Sequence, residues 1–306
     1  MIKYYKSVNS SVKELKKPTP GCWIDVFSPN DAELAKLSKI VKIPISEFKV
    51  ALDEDERPRI DIGKNFTLFI LRMPFVQKED EIETAPVGIF LTKKYIITVH
   101  LYYTGYIKPI FEPTKNIPMK NNTEFLLYIL SQTVKSYFQV LGKIEKQIDI
   151  IEDEVVKNPK NLIIEKMADI KRTLIFFYRS LIANRMVVLS ATEKNIQFID
   201  KKYIENFKDI HTEIFQLLDM TMTYKDLLKG SMDSYSSIVS NRLGETVKIL
   251  TLITALLTVP LLITGVYGMN IGLPINNNES AFTIVILIMV VSMLVTWSVF
   301  KLKNWL

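Results

Sequence analysis

Cysteine and histidine are almost absent from the 306 residues: the chain holds one cysteine, Cys22, and two separated histidines, His100 and His211. A single cysteine excludes an intrachain disulfide framework, and isolated histidines give no soft-metal cluster, so zinc or copper enzymology has no ligand set. Glycine is sparse at 10 residues and forms no phosphate-cradling loop. No nucleophile stands with a base and no paired carboxylates sit on a defined scaffold, so the chain reads as a non-enzyme. No apolar run precedes Lys3, and residues 4–17 are mixed and charged, so no secretory signal peptide is expected and the soluble part stays inside the cell. The net charge of +6 is spread along the chain rather than gathered into a patch, which argues against nucleic acid. The short basic C-terminus fits an inner-leaflet anchor better.

Charge itself is missing from two stretches, 249–267 and 281–300. About 19 residues at 1.5 Å each span ~28 Å, enough to cross the hydrocarbon core of a bilayer. The two runs therefore form a membrane hairpin whose connecting loop, 268–280, has no Lys or Arg. Arg242 and Lys248 precede the hairpin, and Lys301 and Lys303 follow it. By the positive-inside rule both chain ends are cytoplasmic and the loop faces out, in a multi-pass protein of the prokaryotic inner membrane. A composition of 48% hydrophobic residues is ordinary for a soluble part carrying two such spans.

What remains is a soluble part with two textures. Up to about residue 112, short β-like runs alternate with short helices. Residues 22–27 are strand-like, and Ser28-Pro29 opens a helix with Asp31 and Glu33 in its first turn. Residues 66–73, 86–91 and 95–99 are rich in β-branched and aromatic side chains, and Thr92-Lys93-Lys94 joins the last two as a hairpin. The acidic segment Asp53-Glu54-Asp55-Glu56 has two readings, a hard-cation site or a solvated turn before Pro58, and the same holds for Glu79-Asp80-Glu81.

From Thr123 long helices follow. Leu126, Ile129, Leu130, Val134, Tyr137, Leu141, Ile144, Ile148 and Ile151 have the three-and-four spacing of an amphipathic helix. Asn158-Pro159 then caps a second helix that runs to Glu193, antiparallel to the first. The acidic end of the pair, Glu145, Asp149, Glu152, Asp153 and Glu154, is either a solvated face or a cation attractor. A third helix begins near Lys202 and meets no proline before Pro260, about 60 residues or ~90 Å of rod. The expected organisation is an α+β membrane protein: an α/β domain at 1–115, the helix pair at 116–200, a stalk at 201–248, and the membrane hairpin at 249–306.

One stripe on the third helix is unlike an ordinary core. Asp233, Ser237, Ser240, Gly244, Val247, Thr251, Thr254, Thr258, Leu261, Gly265 and Gly268 follow a three-and-four spacing. Small and hydroxylated residues on one membrane face mean either close helix packing or a water-accessible pore wall. Two membrane helices cannot enclose a conduit, so a pore requires several copies around an axis.

Tyr267-Gly268-Met269-Asn270 at the outer end of the first membrane helix, with Phe300-Lys301-Leu302-Lys303-Asn304-Trp305-Leu306 closing the chain, resembles the CorA family of divalent-cation channels. The segment 52–59, Leu-Asp-Glu-Asp-Glu-Arg-Pro-Arg, also looks like one that family carries in its soluble domain. The resemblance implies a Mg²⁺ channel, a homopentamer with the first helix lining the pore and the second outside, and a filter at Gly268, Met269 and Asn270. Mg²⁺ dehydrates reluctantly, so a ring of Asn270 amides and nearby carbonyls would hold the ion through its water shell; an Asn that only caps the helix is the plainer reading. Thr251, Thr254 and Thr258 would line the path below, Leu250 or Leu261 would form an apolar constriction, and Asp233 would ring the inner mouth. Lys301 and Lys303 would form a positive collar or serve as anchors. The resemblance further implies a regulatory Mg²⁺ site at Asp209 that closes the channel when the ion is replete.

The loop Ile271-Gly272-Leu273-Pro274-Ile275-Asn276-Asn277-Asn278-Glu279 departs from the Met-Pro-Glu-Leu of better-known members and carries a single acid, Glu279. Related branches are associated with Co²⁺, Ni²⁺ or Zn²⁺. The alternatives are therefore a transporter of another divalent cation, Zn²⁺ among them and perhaps proton-coupled, and a membrane-anchored scaffold or sensor. No organic cofactor is expected.

Overall fold

A computed structural model of the chain describes all residues except 9–10, 77–81, 104–105, 107, 113–116, 120, 158–160, 194–195, 273, 275–279 and 304–306. Glu79, Asp80, the Asn158-Pro159 cap and the loop acid Glu279 thus lie outside the described residues. The chain divides into two compact units, Met1–Met232 and Asp233–Leu306.

The first unit is built on a seven-stranded mixed sheet. Its strands are β1 (Ile2–Val8), β2 (Ser11–Leu15), β3 (Cys22–Phe27), β4 (Arg59–Ile62), β5 (Phe66–Val76), β6 (Ile82–Thr92) and β7 (Tyr95–His100), in the order β2-β1-β3-β7-β6-β5-β4. Only β3 and β7 pair in parallel, with Cys22 opposite Tyr95 and Phe27 opposite His100. A parallel pair cannot be closed by a tight turn, so the chain between them makes the helices α1 (Asp31–Val41) and α2 (Ile45–Val50) and the β4–β6 meander. The β6–β7 hairpin is the one read from the sequence. Thr92 Oγ1 accepts from the backbone N–H groups of Lys94 and Tyr95, at 3.2 and 2.8 Å, and so fixes the turn.

Alternation along the strands sets the layers. Cys22, Ile24, Val26, Ile97 and Val99 face a core shared with Leu34, Leu37 and Val41 of α1 and Phe48 of α2. Trp23 points to the other face, where its ring lies 6.4 Å from Phe111 of α3 (Lys108–Phe111) and 5.3 Å from Phe125 of α4 (Asn122–Lys157). Asn30, not Ser28, caps α1: its side chain accepts from Glu33 N at 2.8 Å while Glu33 Oε2 accepts from Asn30 N at 3.1 Å. The amphipathic stripe assigned to α4 is buried at every one of its nine positions. The helix α5 (Asn161–Glu193) is long and apolar enough to cross a membrane, yet Met167, Leu174, Phe177, Leu181 and Val188 are buried within the first unit. Its apolarity is that of a core helix.

The same sheet resolves the two readings of the acidic segment. Arg59 pairs with Glu56 and, through Nε, with Asp61 Oδ2 at 2.7 Å. Arg72 of β5 donates through Nη1 to the carbonyls of Glu54 and Glu56 at 2.8 and 3.0 Å, and Tyr102 Oη donates to Glu54 Oε1 at 2.6 Å. That last bond, with burial and the charge of Glu54, pushes the Tyr102 phenol up to about 12. The segment is a turn strapped to the sheet by two arginines, and among the described residues no group of three His, Cys, Asp or Glu could hold a metal.

At Gly88 of β6 the sheet and the helical layer pack tightly. A β-carbon there would come 2.5 Å from Ala51 Cβ, just beyond α2. Gly88→Ala is expected to destabilise the soluble unit by about 1–3 kcal/mol, as overpacking does. Adding Ala51→Gly should recover most of that loss. Thermal melts of the two proteins in detergent check this; a single variant that melts like the wild type would contradict it.

Candidate ion pathway

The helix α6 (Ile204–Tyr267) belongs to both units, and the division falls within it. In the second unit it is followed by α7 (Ala281–Leu302), and both helices are long and apolar enough to cross a membrane. Neither is covered like a soluble helix. Within the apolar run of α6, Leu252 is buried and Ala255, Leu256, Val259, Pro260, Ile263 and Tyr267 are half-buried; on α7 the half-buried positions are Ala281, Ile284, Val285, Met289, Ser292, Met293, Thr296 and Phe300. Each set has helical spacing, so each helix has one half-buried face.

The small-and-hydroxyl stripe occupies the opposite side of α6. At ~100° per residue, Thr254, Thr258 and Leu261 fall roughly half a turn from Leu252, and so do Val247, Leu250 and Gly268. Thr251, Thr254 and Thr258 are exposed, as are Val247, Leu250 and Leu261, the last at 71%. Asp233 begins the same line and is also exposed.

Every stripe threonine spends its proton on its own helix. Thr251 Oγ1 donates to Val247 O at 2.8 Å, Thr254 to Leu250 O at 2.8 Å, and Thr258 to Thr254 O at 2.7 Å. A hydroxyl so bonded keeps its oxygen lone pairs as acceptors, one per turn of the face. Lower down, Ser237 donates to Asp233 O at 3.0 Å.

The end of α6 is compact. Gly268 N donates to Thr264 O at 2.8 Å and Met269 N to Val266 O at 3.2 Å. A β-carbon on Gly268 would stand 3.1 Å from Thr264 O, so the absence of a side chain lets this carbonyl close in. Gly268 is not left-handed; among the described glycines only Gly21 has positive φ. Met269 and Asn270 are exposed, and among the described residues the Asn270 amide makes no side-chain hydrogen bond that would cap the helix. At the far end of α7, Lys301 Nζ lies 5.1 Å over the ring of Trp297, and Lys303 is exposed at the helix C-cap.

Asp209 lies in the first unit, exposed near the start of α6, on the side away from buried Phe207, Ile210 and Ile214. The acidic end of α4 meets α6 elsewhere. Glu152 accepts from Ser231 Oγ at 3.0 Å, and 231 − 209 = 22 residues, or ~33 Å of helix. Glu145, beside Tyr224, is 224 − 209 = 15 residues away, ~22 Å. Within one chain the acidic end of α4 therefore cannot complete a metal site at Asp209. His211 is no partner either: its Nε2 accepts from Arg185 Nε at 3.1 Å, and burial with that cation holds its pKa below the usual value.

The two faces of α6 can be told apart chemically. Cys22 is 1% exposed and burial pushes its thiol up, so the unmodified chain should react little with water-soluble thiol reagents. Thr254→Cys and Thr258→Cys are expected to react in the membrane-embedded protein, and Leu256→Cys and Val259→Cys to stay protected. Labelling counted by mass spectrometry decides it, and protection at all four positions would mean that the stripe packs dry.

Residues 20–302 match the family model described as CorA-like Mg2+ transporter protein. The chain is 34% identical over 290 residues to the cobalt/magnesium transport protein CorA of Methanocaldococcus jannaschii, covering 93% of this chain and 91% of that one. It is 28% identical over 307 residues to the cobalt/magnesium transport protein CorA of Thermotoga maritima, covering 97% and 86%. Its fold superposes on the complete structure of the CorA magnesium transporter from Methanocaldococcus jannaschii with a TM-score of 0.87 and 30% identity, covering 100% of this chain and 99% of that one.

Proposed function

The chain belongs to the family of CorA-like Mg2+ transporter proteins, and from that premise we propose that it is a passive Mg²⁺ channel, with Co²⁺ as a further cargo, selecting the hydrated ion at a ring of Asn270 side chains. The observation that carries the proposal is the acceptor-only face of α6. The waters around Mg²⁺ turn their protons outward, so a path for the hydrated ion needs oxygen lone pairs in its wall, and Thr251, Thr254 and Thr258 present them on the exposed face of α6.

One hairpin cannot surround an ion, so the conduit is a homo-oligomer with α6 inside and α7 outside, a homopentamer by analogy with the family. Both termini are cytoplasmic. Asn270 with Gly268 and Met269 forms the outer filter, Leu250 and Leu261 are the apolar constrictions, and Asp233 rings the inner mouth. The stripe holds neither cysteine nor histidine, and oxygen donors suit Mg²⁺ better than Zn²⁺.

Regulation completes the proposal. Intracellular Mg²⁺ bridges Asp209 to a carboxylate of a neighbouring subunit and stabilises the closed ring; without the ion the like charges repel. The distances along α6 favour a partner outside the chain itself.

Ion entry into liposomes is the test. Asn270→Ala should lose the preference for Mg²⁺ over other divalent cations while the protein stays folded and inserted, and Asp209→Asn should transport with weaker inhibition by internal Mg²⁺. An unchanged preference in the first variant would remove Asn270 from the filter, and unchanged inhibition in the second would remove Asp209 from regulation.

A further inference from the structure

Trp23, Asp25, Thr98 and His100 are buried together on the face of β3 and β7 that meets α3 and α4, and the proposed function uses none of them. The Trp23 indole N–H can only donate, and it donates to Thr98 Oγ1 at 2.9 Å. The proton of Thr98 then goes to Asp25 Oδ1 at 2.7 Å. The same Oδ1 stands 3.0 Å from His100 Nε2, and His100 Nδ1 stands 2.7 Å from Tyr102 O. Both ring nitrogens thus face oxygen acceptors. A carbonyl has no proton to give, so Nδ1 carries one. Between Nε2 and Oδ1 a second is needed, because two facing lone pairs would repel.

Three features put that second proton on the imidazole. Asp25 Oδ1 accepts twice, and hydrogen bonds to a carboxylate favour its ionised form. Among the described residues the ion pair of Asp25 is with His100 alone; Lys3 lies opposite it across the β1–β3 pair but forms no ion pair with it. Tyr5 and Tyr103 also face the carboxylate, and burial with the Asp25 charge pushes both phenols up and keeps them neutral, while the exposed Glu112 beside Tyr103 adds only negative charge. Last, the His100 ring lies flat on Phe111, with centroids 4.6 Å apart and planes at 13°, against a face that attracts a cation.

We infer that His100 is held as an imidazolium, the buried counter-charge of Asp25, and that its Nδ1 proton ties the acidic 54–56 turn to the core of the sheet. Tyr102 is the link: its carbonyl accepts the Nδ1 proton, its ring stacks on Phe75 of β5 with centroids 4.1 Å apart, and its phenol donates to Glu54. A neutral imidazole cannot serve both acceptors. Beside an ionised Asp25 it keeps its proton on Nε2, where the bond is charge-assisted, and the bare Nδ1 then repels Tyr102 O. The charge on His100 therefore decides whether Tyr102 is anchored. This device belongs to the soluble unit and rests on neither the ion nor the filter.

Solid-state nitrogen NMR of the full-length protein in lipid bilayers, isotope-labelled only at histidine, tests this, because the chain has two histidines and His211 serves as the internal reference. At about pH 7.5, roughly one unit above a free imidazole, His211 should show one protonated and one bare nitrogen, since it accepts from Arg185 and burial with that cation holds its pKa below the usual value. His100 should show two protonated nitrogens, and the signals that vanish in His211→Gln assign the pair. Asp25→Asn, whose amide N–H can donate to Nε2, should turn His100 neutral. For the turn, His100→Gln leaves a donor near Asp25 and removes the one to Tyr102, and His100→Asn does the reverse. Amide hydrogen exchange at 54–56 should quicken about fivefold in the first, the contribution of one hydrogen bond, and stay near the wild-type rate in the second. Circular dichroism and the oligomer mass of each variant confirm folding. A bare nitrogen on His100 in the wild type overturns the proposal with no variant needed, and a turn that exchanges alike in the two His100 variants overturns its link to the turn.

Discussion

Hydrocarbon offers no hydrogen bonds, and the membrane unit is arranged around that constraint. Each stripe threonine of α6 returns its proton to a carbonyl of the same helix, so the face is stable without water yet ready to accept from it. Threonines meant only for tight packing would want a close neighbour, and the half-buried face of α6 is on the other side of the helix. The geometry leaves the threonine face for something else, and a file of water around a hard cation fits its chemistry. Gly268 extends the same economy to the end of the helix, where the missing side chain lets Thr264 O approach and leaves Asn270 uncovered.

The soluble unit solves a different problem, that of holding an acidic turn and two long helices on one sheet. Arg72 is central to both. Its guanidinium ties the 54–56 turn to β5, and its backbone exchanges hydrogen bonds with the Asn184 amide of α5 at 2.9 and 2.8 Å. Tyr137 of α4 donates to the same Arg72 carbonyl at 3.0 Å. One residue of the sheet therefore registers α4, α5 and the turn. Burial holds its pKa below the usual guanidinium value without discharging it.

Much of this was legible in the sequence, for identifiable reasons. Uncharged runs announce membrane helices because no soluble fold needs them, and the buried positions of α4 follow from their spacing alone. The strands β1, β2 and β4 are hard to read from the sequence because they lie at or near the sheet edges, where charged residues interrupt the apolar pattern. Ser28-Pro29 suggested the start of α1, but the reciprocal bonds of Asn30 and Glu33 decided it two residues later. The stripe on α6 was visible as a pattern, whereas its position opposite the half-buried face could come only from knowing which residues are exposed. The separation of Asp209 from the acidic end of α4 within one chain was likewise invisible, since distance along a rod depends on where the helices cross. Asn270 is legible as a motif, and its role rests on assembly.

The central claim is that this chain forms a passive path for Mg²⁺, and the dependence of flux on membrane potential tests it most directly. Moving one charge through 100 mV is worth about 2.3 kcal/mol, and a divalent ion carries twice that. In liposomes with the wild-type protein and equal pH on both sides, the account predicts Mg²⁺ entry that rises with inside-negative potential and stops when the potential is collapsed. Entry that requires a pH gradient and ignores the potential would contradict it.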